Sequence, residues 1–344
     1  MVQKQIKGLN LDELTLLCEE NNFSAFRAKQ LYHWMYRHGV SDVDQMDNIP
    51  NDMSKYFSSH YLFKTLEIEN IQSSASEDTK KILFKTHDGK LIESVSMIDN
   101  NLHTVCISSQ VGCNVDCKFC ATGLMGFKRN LTSGEILDQV IEINKLREKA
   151  ITNIVYMGMG EPFLNYNEVM KSADIIHDHN GMNLGRGRIT ISTSGILPKI
   201  KKFIDEERGY KLAISLNATD DDTRTKIIPI NKKWNIQMLM DALEKYPVDK
   251  KNMVMLEYVL LKGINDSMED AQKLSAYGNK LHCKINVIPF NDIGNEYSRP
   301  DEETINQFIS ILHENQKYYQ TLVRWSKGID IDAACGQLST QEIE

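Results

Sequence analysis

The residues best suited to chemistry are three cysteines in one short stretch. Cys113, Cys117 and Cys120 fall within the segment VGCNVDCKFCATG. Thiolates hold iron–sulfur clusters, and a four-iron cluster normally takes four of them. Because this stretch supplies only three, a cluster held here would leave one iron open to a small molecule. The spacing therefore predicts a reactive iron–sulfur site rather than one that only stores an electron.

Zinc is the main alternative use of these thiols. Structural zinc prefers four nitrogen or sulfur ligands, usually arranged as two paired knuckles. No matching pair of His or Cys residues accompanies the triplet. Two further cysteines, Cys18 and Cys283, lie in apolar segments, and we expect them to pack in the core.

Composition sets broad limits on the class of protein. The chain has 344 residues, 41% hydrophobic and 25% charged, as expected for a globular protein of about two domains. It lacks both the ~18-residue apolar run of a membrane helix and the apolar core of a signal peptide, so we expect a cytoplasmic protein without membrane contact.

The net charge of −7 argues against coating of nucleic acid. Basic clusters, such as Arg224, Lys226, Lys232 and Lys233, are interpreted as solvated faces.

The periodicity of apolar residues predicts three regions. Residues 1–60 carry helical stripes, 61–98 contain a β-hairpin with Asp88-Gly89 at its turn, and 99–344 alternate strands with helices. Six β/α units predict an α/β fold with a parallel sheet, a partial (β/α)6 barrel whose active residues lie at the carboxyl ends of the strands. The predicted strands are 103–109, 152–158, 188–193, 211–216, 253–260, 284–289 and one near 321–325, and the predicted helices are 132–148, 165–178, 196–207, 221–227, 236–246 and 267–281.

A second loop belongs to the same predicted edge of the sheet. The segment MGMGEP, residues 157–162, follows the second predicted strand of the barrel. Glycine allows a ligand to approach the backbone closely, and Glu161 could accept a hydrogen bond from an amino group. A Gly-Glu-Pro loop alone is a weak signal, but its position beside the cysteine triplet indicates a ligand site.

Together these motifs resemble the radical S-adenosylmethionine superfamily, in which the open iron is chelated by S-adenosylmethionine. From the FRAKQLYHW helix to nearly the C-terminus, the chain is similar to the RlmN/Cfr family of RNA adenine methyltransferases. This resemblance implies a radical SAM barrel with a helical, RNA-binding accessory domain. The segments that carry it are Cys106–Cys113 (CISSQVGC), Met157–Asn165 (MGMGEPFLN), Ile189–Gly195 (ITISTSG), Ile227–Asn231 (IIPIN) and Asp330–Leu338 (DIDAACGQL).

The resemblance also implies roles for individual residues. The three clustered cysteines, Cys113, Cys117 and Cys120, would bind a [4Fe–4S] cluster. Cys335 would carry a methyl group, Cys106 would form a disulfide with it, and Glu93 would accept a proton. The S-adenosylmethionine site would contain Gly160, Glu161, Ser192, Ser215, Leu216, Asn217 and Asn291.

The implied reaction is methylation of carbon 2 of an adenine in 23S rRNA, and also in tRNA. That carbon is electron-poor and has no lone pair, so a polar methyl transfer has no nucleophile. The family route is covalent and uses two molecules of S-adenosylmethionine per turnover. One methylates Cys335, and reductive cleavage of the other gives the radical that activates this methyl group. Attack of Cys106 on the Cys335 sulfur then releases the methylated RNA and leaves a disulfide between the two cysteines. This disulfide must be reduced before the next turnover.

The same resemblance implies partners. We expect 23S rRNA and tRNA as substrates, an electron donor such as flavodoxin, and a monomeric enzyme. RNA is recognised through phosphates, shape and base stacking. Trp34 and Tyr36 are candidates for stacking. Candidates for phosphate contacts are Arg129, Arg186, Arg188, Lys232 and Lys233.

Two alternatives remain open from the sequence. A Cfr-type enzyme would methylate carbon 8 of the adenine, although Pro162 favours the RlmN type because Ala follows Gly-Glu in the Cfr pattern. A non-catalytic iron–sulfur or zinc protein that binds RNA would not cleave S-adenosylmethionine at all.

Overall fold

Helices form the amino-terminal part of the protein, as the apolar stripes predicted. The computed structural model describes residues 4–247 and 253–340. The first helix begins at a capping box, in which the side chains of Asn10 and Glu13 each accept from the other's backbone N–H. Cys18 on this helix is fully buried, as expected. The elements are β1 (Lys4–Gln5), α1 (Leu11–Glu20), α2 (Ala25–Tyr32) with a π-helical turn at His33–Arg37, α3 (Asn51–His60) and β2 (Tyr61–Leu62).

A ten-stranded sheet forms the centre of the protein. Its strand order is β14-β13-β12-β11-β10-β9-β6-β5-β4-β3, and the run from β6 to β14 is parallel. β7 and β8 form a separate antiparallel pair. The strands are β3 (Leu66–Ser73), β4 (Thr79–Thr86), β5 (Leu91–Asp99), β6 (Leu102–Cys106), β7 (Gln110–Gly112), β8 (Phe127–Asn130), β9 (Asn153–Tyr156), β10 (Ile189–Thr193), β11 (Lys211–Ser215), β12 (Met255–Leu260), β13 (Lys284–Pro289) and β14 (Gln320–Val323).

Helices connect the parallel strands and cover the sheet. α5 begins at a capping box formed by Thr132 and Glu135. Together with the parallel strands, this arrangement confirms the predicted α/β fold and its partial barrel. The helices are α4 (Ala121–Leu124), α5 (Ser133–Lys145), α6 (Tyr166–His177), α7 (Leu197–Asp205), α8 (Asp221–Ile227), α9 (Ile236–Leu243), α10 (Met268–Leu281) and α11 (Glu302–Glu314).

Several elements were not predicted, among them α11, β3, β7 and β8. α11 completes the sixth β/α unit; Asp301 caps it, and Ile305, Phe308 and Leu312 bury its apolar face. β3 has the sequence LEIENIQS and is mostly exposed, so it lacks the apolar run of a central strand. β7 and β8, of three and four residues, were too short to show a periodicity.

The predicted hairpin is built into the main sheet. β4 and β5 pair antiparallel, and β5 pairs with β6 from Val95 opposite Cys106 to Asp99 opposite Leu102. The ladder therefore continues from the hairpin into the parallel strands without a break. The domain boundaries at residues 60/61 and 98/99 remain predictions.

Candidate functional site

The loops at the carboxyl ends of the parallel strands enclose a cavity of about 170 Å³. Parallel strands place their carboxyl ends at one edge of the sheet, so residues far apart in sequence meet there. The cavity brings together most of the predicted site residues. Those that line it are Cys113, Cys117, Cys120, Gly160, Glu161, Ser192, Ser215, Asn217 and Cys335.

The three clustered cysteines occupy the loop between β7 and α4. Cys113 and Cys117 pack against an apolar group that includes Val115 and Phe119. Burial raises the pKa of the Cys113 thiol to about 12 and raises the pKa values of Cys117 and Cys120 as well. A coordinated metal would reverse this effect, because binding deprotonates a thiol outright.

The donor set fits an iron–sulfur cluster. The three thiols line the same cavity, and Cys113 and Cys117 pack there against apolar side chains. Within residues 4–247 and 253–340, no three His, Cys, Asp or Glu side chains converge so as to hold a single metal ion. A multi-iron cluster, which takes its thiolates on separate irons, would suit three thiols that line one cavity without converging on a single point.

Hydrogen bonds hold the Gly-Glu-Pro loop in the lining of the same cavity. Gly160 has φ +98°, and a Cβ atom there would come within 2.5 Å of the Gln110 side chain, so only glycine fits. The Glu161 carboxylate accepts from the backbone N–H of Phe163 (2.9 Å) and from both the N–H and the hydroxyl of Ser194 (2.7 Å each). Ser194 is thus a site residue that the sequence analysis missed, although it lies inside the ITISTSG segment.

Arg224 ties several strand ends together beneath the cavity. Its Nη2 donates to the carbonyls of Ser194 (2.7 Å) and Ser215 (3.1 Å), and its Nε donates to the carbonyl of Leu216 (2.9 Å). Nη1 donates to Asn231 Oδ1 at 2.9 Å. The side chain is fully buried, and burial lowers its pKa to about 10. The interpretation of Arg224 as part of a solvated basic face was therefore wrong, because its partners come from loops distant in sequence.

Cys335 lies on the border between two cavities. Besides the first cavity, it lines a second one of about 240 Å³, which also contains Cys106, Met157 and Arg324. Both Cys106 and Cys335 are free thiols. Cys335 is therefore exposed on one side to the space next to the clustered cysteines and on the other to the space next to Cys106.

Hydrogen bonds hold the Cys335 segment against the cysteine loop. The amide of Asn291 donates to the carbonyl of Cys335 at 3.0 Å. The backbone N–H of Ala121 donates to Gly336 O at 2.8 Å, and the Thr122 hydroxyl donates to Leu338 O at 2.6 Å. Asn291 thus contacts the chain that carries Cys335 and is not among the residues that line the first cavity.

Two charged residues, both missed from the sequence, complete the walls; Glu257 is buried and Arg324 is half-buried. Arg324 follows β14 and lines both cavities, and its electrostatic neighbours are Cys335, Glu257 and Cys106. These neighbours raise the pKa of Arg324. Glu257 lies on β12, accepts from Asn286 Nδ2 at 2.8 Å, and leaves its second oxygen without a hydrogen-bond partner. That oxygen is itself buried, and Glu257 is among the residues that line the first cavity.

Besides Asn291, two predicted residues lie apart from these cavities. The Leu216 side chain is fully buried and lines neither of them. Glu93 lies on β5, pairs with Lys81 at 3.3 Å and accepts from the backbone N–H of Ser339 at 2.9 Å. It faces a separate groove of about 620 Å³, and burial raises its pKa. Its role as a proton acceptor stays a prediction.

Several candidates for RNA contacts have other partners. Tyr36 is buried, accepts from Gly8 N and donates to Leu9 O, so it cannot stack on a base. Arg129 pairs with Asp88 (2.6 Å) and Glu135 (2.8 Å). Arg186 and Arg188 precede β10 and so lie at the opposite edge of the sheet from the cavity, whereas Lys232 and Lys233 are exposed.

Two family models match this chain. Residues 107–274 match the radical SAM superfamily, and residues 4–61 match the ribosomal RNA large subunit methyltransferase N-terminal domain. A crystal structure of a radical SAM methyltransferase from Sphaerobacter thermophilus superposes with a TM-score of 0.92 at 40% identity, over 97% of this chain and 99% of that one. The fold and the cysteine site therefore define a radical S-adenosylmethionine enzyme.

Similar proteins of known family identify which radical S-adenosylmethionine family the chain belongs to. The dual-specificity RNA methyltransferase RlmN of Nautilia profundicola is 43% identical over 92% of this chain and 93% of its own length. A probable RlmN of Clostridium botulinum is 42% identical over 99% of this chain and 98% of its own length. The chain belongs to the RlmN family. Its cofactors are a [4Fe–4S] cluster and S-adenosylmethionine.

Proposed function

We propose that this enzyme methylates carbon 2 of an adenine in 23S rRNA and in tRNA. The observation that carries the proposal is the position of Cys335, which borders both the cavity of the three clustered cysteines and the cavity of Cys106. A methyl group received on one side can therefore be presented on the other. The relatives described as dual-specificity RNA methyltransferases support the same substrates.

The first cavity is the proposed cofactor site. Cys113, Cys117 and Cys120 would hold the cluster, and Gly160, Glu161, Ser192, Ser215 and Asn217 would contact S-adenosylmethionine, two molecules of which are used per turnover. When bound, these groups supply the methyl group and the radical chemistry that an electron-poor aromatic carbon requires. Leu216 and Asn291 would act indirectly: Leu216 O accepts from Arg224, and Asn291 holds the Cys335 segment.

The second cavity is the proposed site of product release. The Cys335 sulfur, bonded to the methylene attached to the adenine, is attacked by the Cys106 thiolate. The new S–S bond forms as the bond from the Cys335 sulfur to that carbon breaks, and the carbon retains the bonding electrons and takes up a proton. Glu93 would accept the proton lost from the adenine ring. The resulting disulfide needs two electrons for reduction, and reductive cleavage of S-adenosylmethionine would also need an electron. We infer a protein electron donor such as flavodoxin for this enzyme.

The proposal also covers the cellular location and the oligomeric state of the enzyme. Among the described residues no helix is long and apolar enough to span a bilayer. We infer a monomeric enzyme that works in the cytoplasm, where its RNA substrates are found.

Nucleoside analysis tests the function directly. Protein with a reconstituted cluster is incubated anaerobically with S-adenosylmethionine, a reductant and unmodified 23S rRNA or tRNA transcripts. The digested RNA is then analysed by mass spectrometry. We expect 2-methyladenosine in both RNAs. Formation of 8-methyladenosine instead would establish the Cfr-type reaction, and tight RNA binding without methylation or cleavage of S-adenosylmethionine would establish a binding protein.

A further inference from the structure

An exposed tryptophan stands at the mouth of the second cavity. Trp325 follows β14 by two residues and is 55% exposed, yet it lines the same cavity as Cys106 and Cys335. The preceding residue, Arg324, lines both cavities. Burying a tryptophan ring is among the largest apolar gains available to a fold. A ring left exposed beside the reacting thiols is therefore free to gain that burial from a ligand.

Arg299 lies over this ring. Its guanidinium carbon is 5.2 Å from the centre of the Trp325 ring, a cation–π contact. Arg299 is exposed, and no carboxylate in the described ranges forms an ion pair with it. The contact with the ring positions the guanidinium while leaving its N–H donors available to an acceptor.

Another cation at the mouth is already neutralised. Lys327 lines the same cavity but pairs with Asp78 at 3.2 Å and with Asp99 at 3.4 Å. Arg299 is thus the better placed of the two to meet an anion. An exposed aromatic face next to an available guanidinium is the pairing that single-stranded nucleic acid requires, a base to stack and a phosphate to bind.

We propose that Trp325 and Arg299 form a nucleotide clamp at the mouth of the second cavity. The occupant is the nucleotide next to the target adenine: its base stacks on the indole, and its phosphate binds the Arg299 guanidinium. This assignment rests on the proposed function, because an adenine that reaches Cys335 through this cavity leaves its neighbour at the mouth. Stacking there would also keep the target unstacked from that neighbour.

Tyr318 offers a matched control. It is 60% exposed and lies two residues before β14, so it is at the opposite end of the same strand from Trp325. The test compares Trp325→Ala, Trp325→Phe, Arg299→Ala and Tyr318→Ala as cluster-loaded full-length enzymes. For each we measure KM and kcat with unmodified tRNA transcript, the Kd of the same fluorescently labelled transcript, and the release of 5′-deoxyadenosine without RNA.

The clamp predicts a specific pattern of results. Trp325→Ala raises both KM and Kd about tenfold, Trp325→Phe restores most of the affinity, and Tyr318→Ala changes neither. Arg299→Ala weakens binding and makes it less sensitive to salt. Release of 5′-deoxyadenosine without RNA stays unchanged in Tyr318→Ala, and in the other variants it reports whether the cofactor site is still loaded.

Two outcomes separate the clamp from the proposed function. A methylating wild type whose KM and Kd are unchanged by Trp325→Ala and Arg299→Ala overturns the clamp alone. A wild type that binds transcript through Trp325 but never methylates it overturns the function alone. If thermal melting shows that Trp325→Ala unfolds, the other two variants decide. Near-wild-type RNA affinity in Trp325→Phe together with a loss of RNA affinity in Arg299→Ala supports the clamp. Unchanged RNA affinity in Arg299→Ala rejects it.

Discussion

At the scale of single residues, burial protects the thiol of Cys106. Burial raises the pKa of its thiol to about 12, and the neighbouring Cys335 contributes in the same direction. At neutral pH the thiol is therefore protonated and unreactive. Arg324, which faces both thiols, opposes this effect and is placed to stabilise a thiolate when the release step requires one.

This setting predicts an unusual pH dependence of alkylation. In the reduced, folded protein, Cys106 should react with iodoacetamide more than about tenfold more slowly near pH 8 than it does after unfolding in urea, since an ordinary thiol has a pKa of about 8.5. The folded-state rate should still be rising with pH at about pH 10. Peptide mass spectrometry at several pH values measures both rates. A folded-state rate that levels off at the pH of the unfolded chain would show that burial does not control this thiol.

At the scale of elements, the strand ends are held in place by a buried arginine. Arg224 on α8 donates to the carbonyls that end β10 and β11 and to Asn231 in the loop that follows α8. These carbonyls would lose their partners if the guanidinium were removed. Buried polar groups without partners are costly, about 1–3 kcal/mol each.

Replacing this side chain should destabilise the protein strongly. Arg224→Met is expected to lower the free energy of unfolding by about 3 kcal/mol or more, because several buried acceptors become unpaired at once. The neighbouring Lys226 is exposed, so Lys226→Met serves as the matched control and should change stability by less than about 0.5 kcal/mol. Urea unfolding measures both. Equal effects of the two substitutions would contradict the structural role of Arg224.

Elements differ in how far the sequence determines them. The parallel strands were predictable because apolar runs such as KINVIP must be buried on both faces. The edge strand β3 was not predictable, because most of its residues are exposed to solvent and its sequence LEIENIQS contains no apolar run. The cysteine triplet and the Gly-Glu-Pro loop could be recognised because each is local in sequence. Arg224, Glu257 and Arg324 could not, because the place of a charged residue in a site becomes clear only once its partners from distant loops are in place.

At the scale of the whole molecule, one buried ion pair joins the amino-terminal helices to the barrel. Lys7, between β1 and α1, lies 3.6 Å from Asp138 of α5, and both side chains are fully buried. Asp138 also accepts from the backbone N–H (2.6 Å) and hydroxyl (2.7 Å) of Thr65. Burial lowers the pKa of Lys7 and raises that of Asp138, so each charge depends on the other.

The two charges should therefore be strongly coupled in stability. Lys7→Met leaves Asp138 as an uncompensated buried charge and is expected to cost about 3–5 kcal/mol, whereas Lys7→Met combined with Asp138→Asn should recover much of that loss. A double-mutant cycle by urea unfolding measures the coupling. Additive effects would show that the pair does not hold the helices to the barrel.

The central claim is that Cys335 carries the methyl group between the two cavities. The most direct test is the Cys335→Ala enzyme, assayed for iron content and for 2-methyladenosine in treated RNA, with Cys283→Ala as a control because Cys283 is buried in the core away from the site. We predict that Cys335→Ala retains the cluster and forms no methylated adenine, while Cys283→Ala retains both. Methylated adenine formed by the Cys335→Ala enzyme would contradict the account.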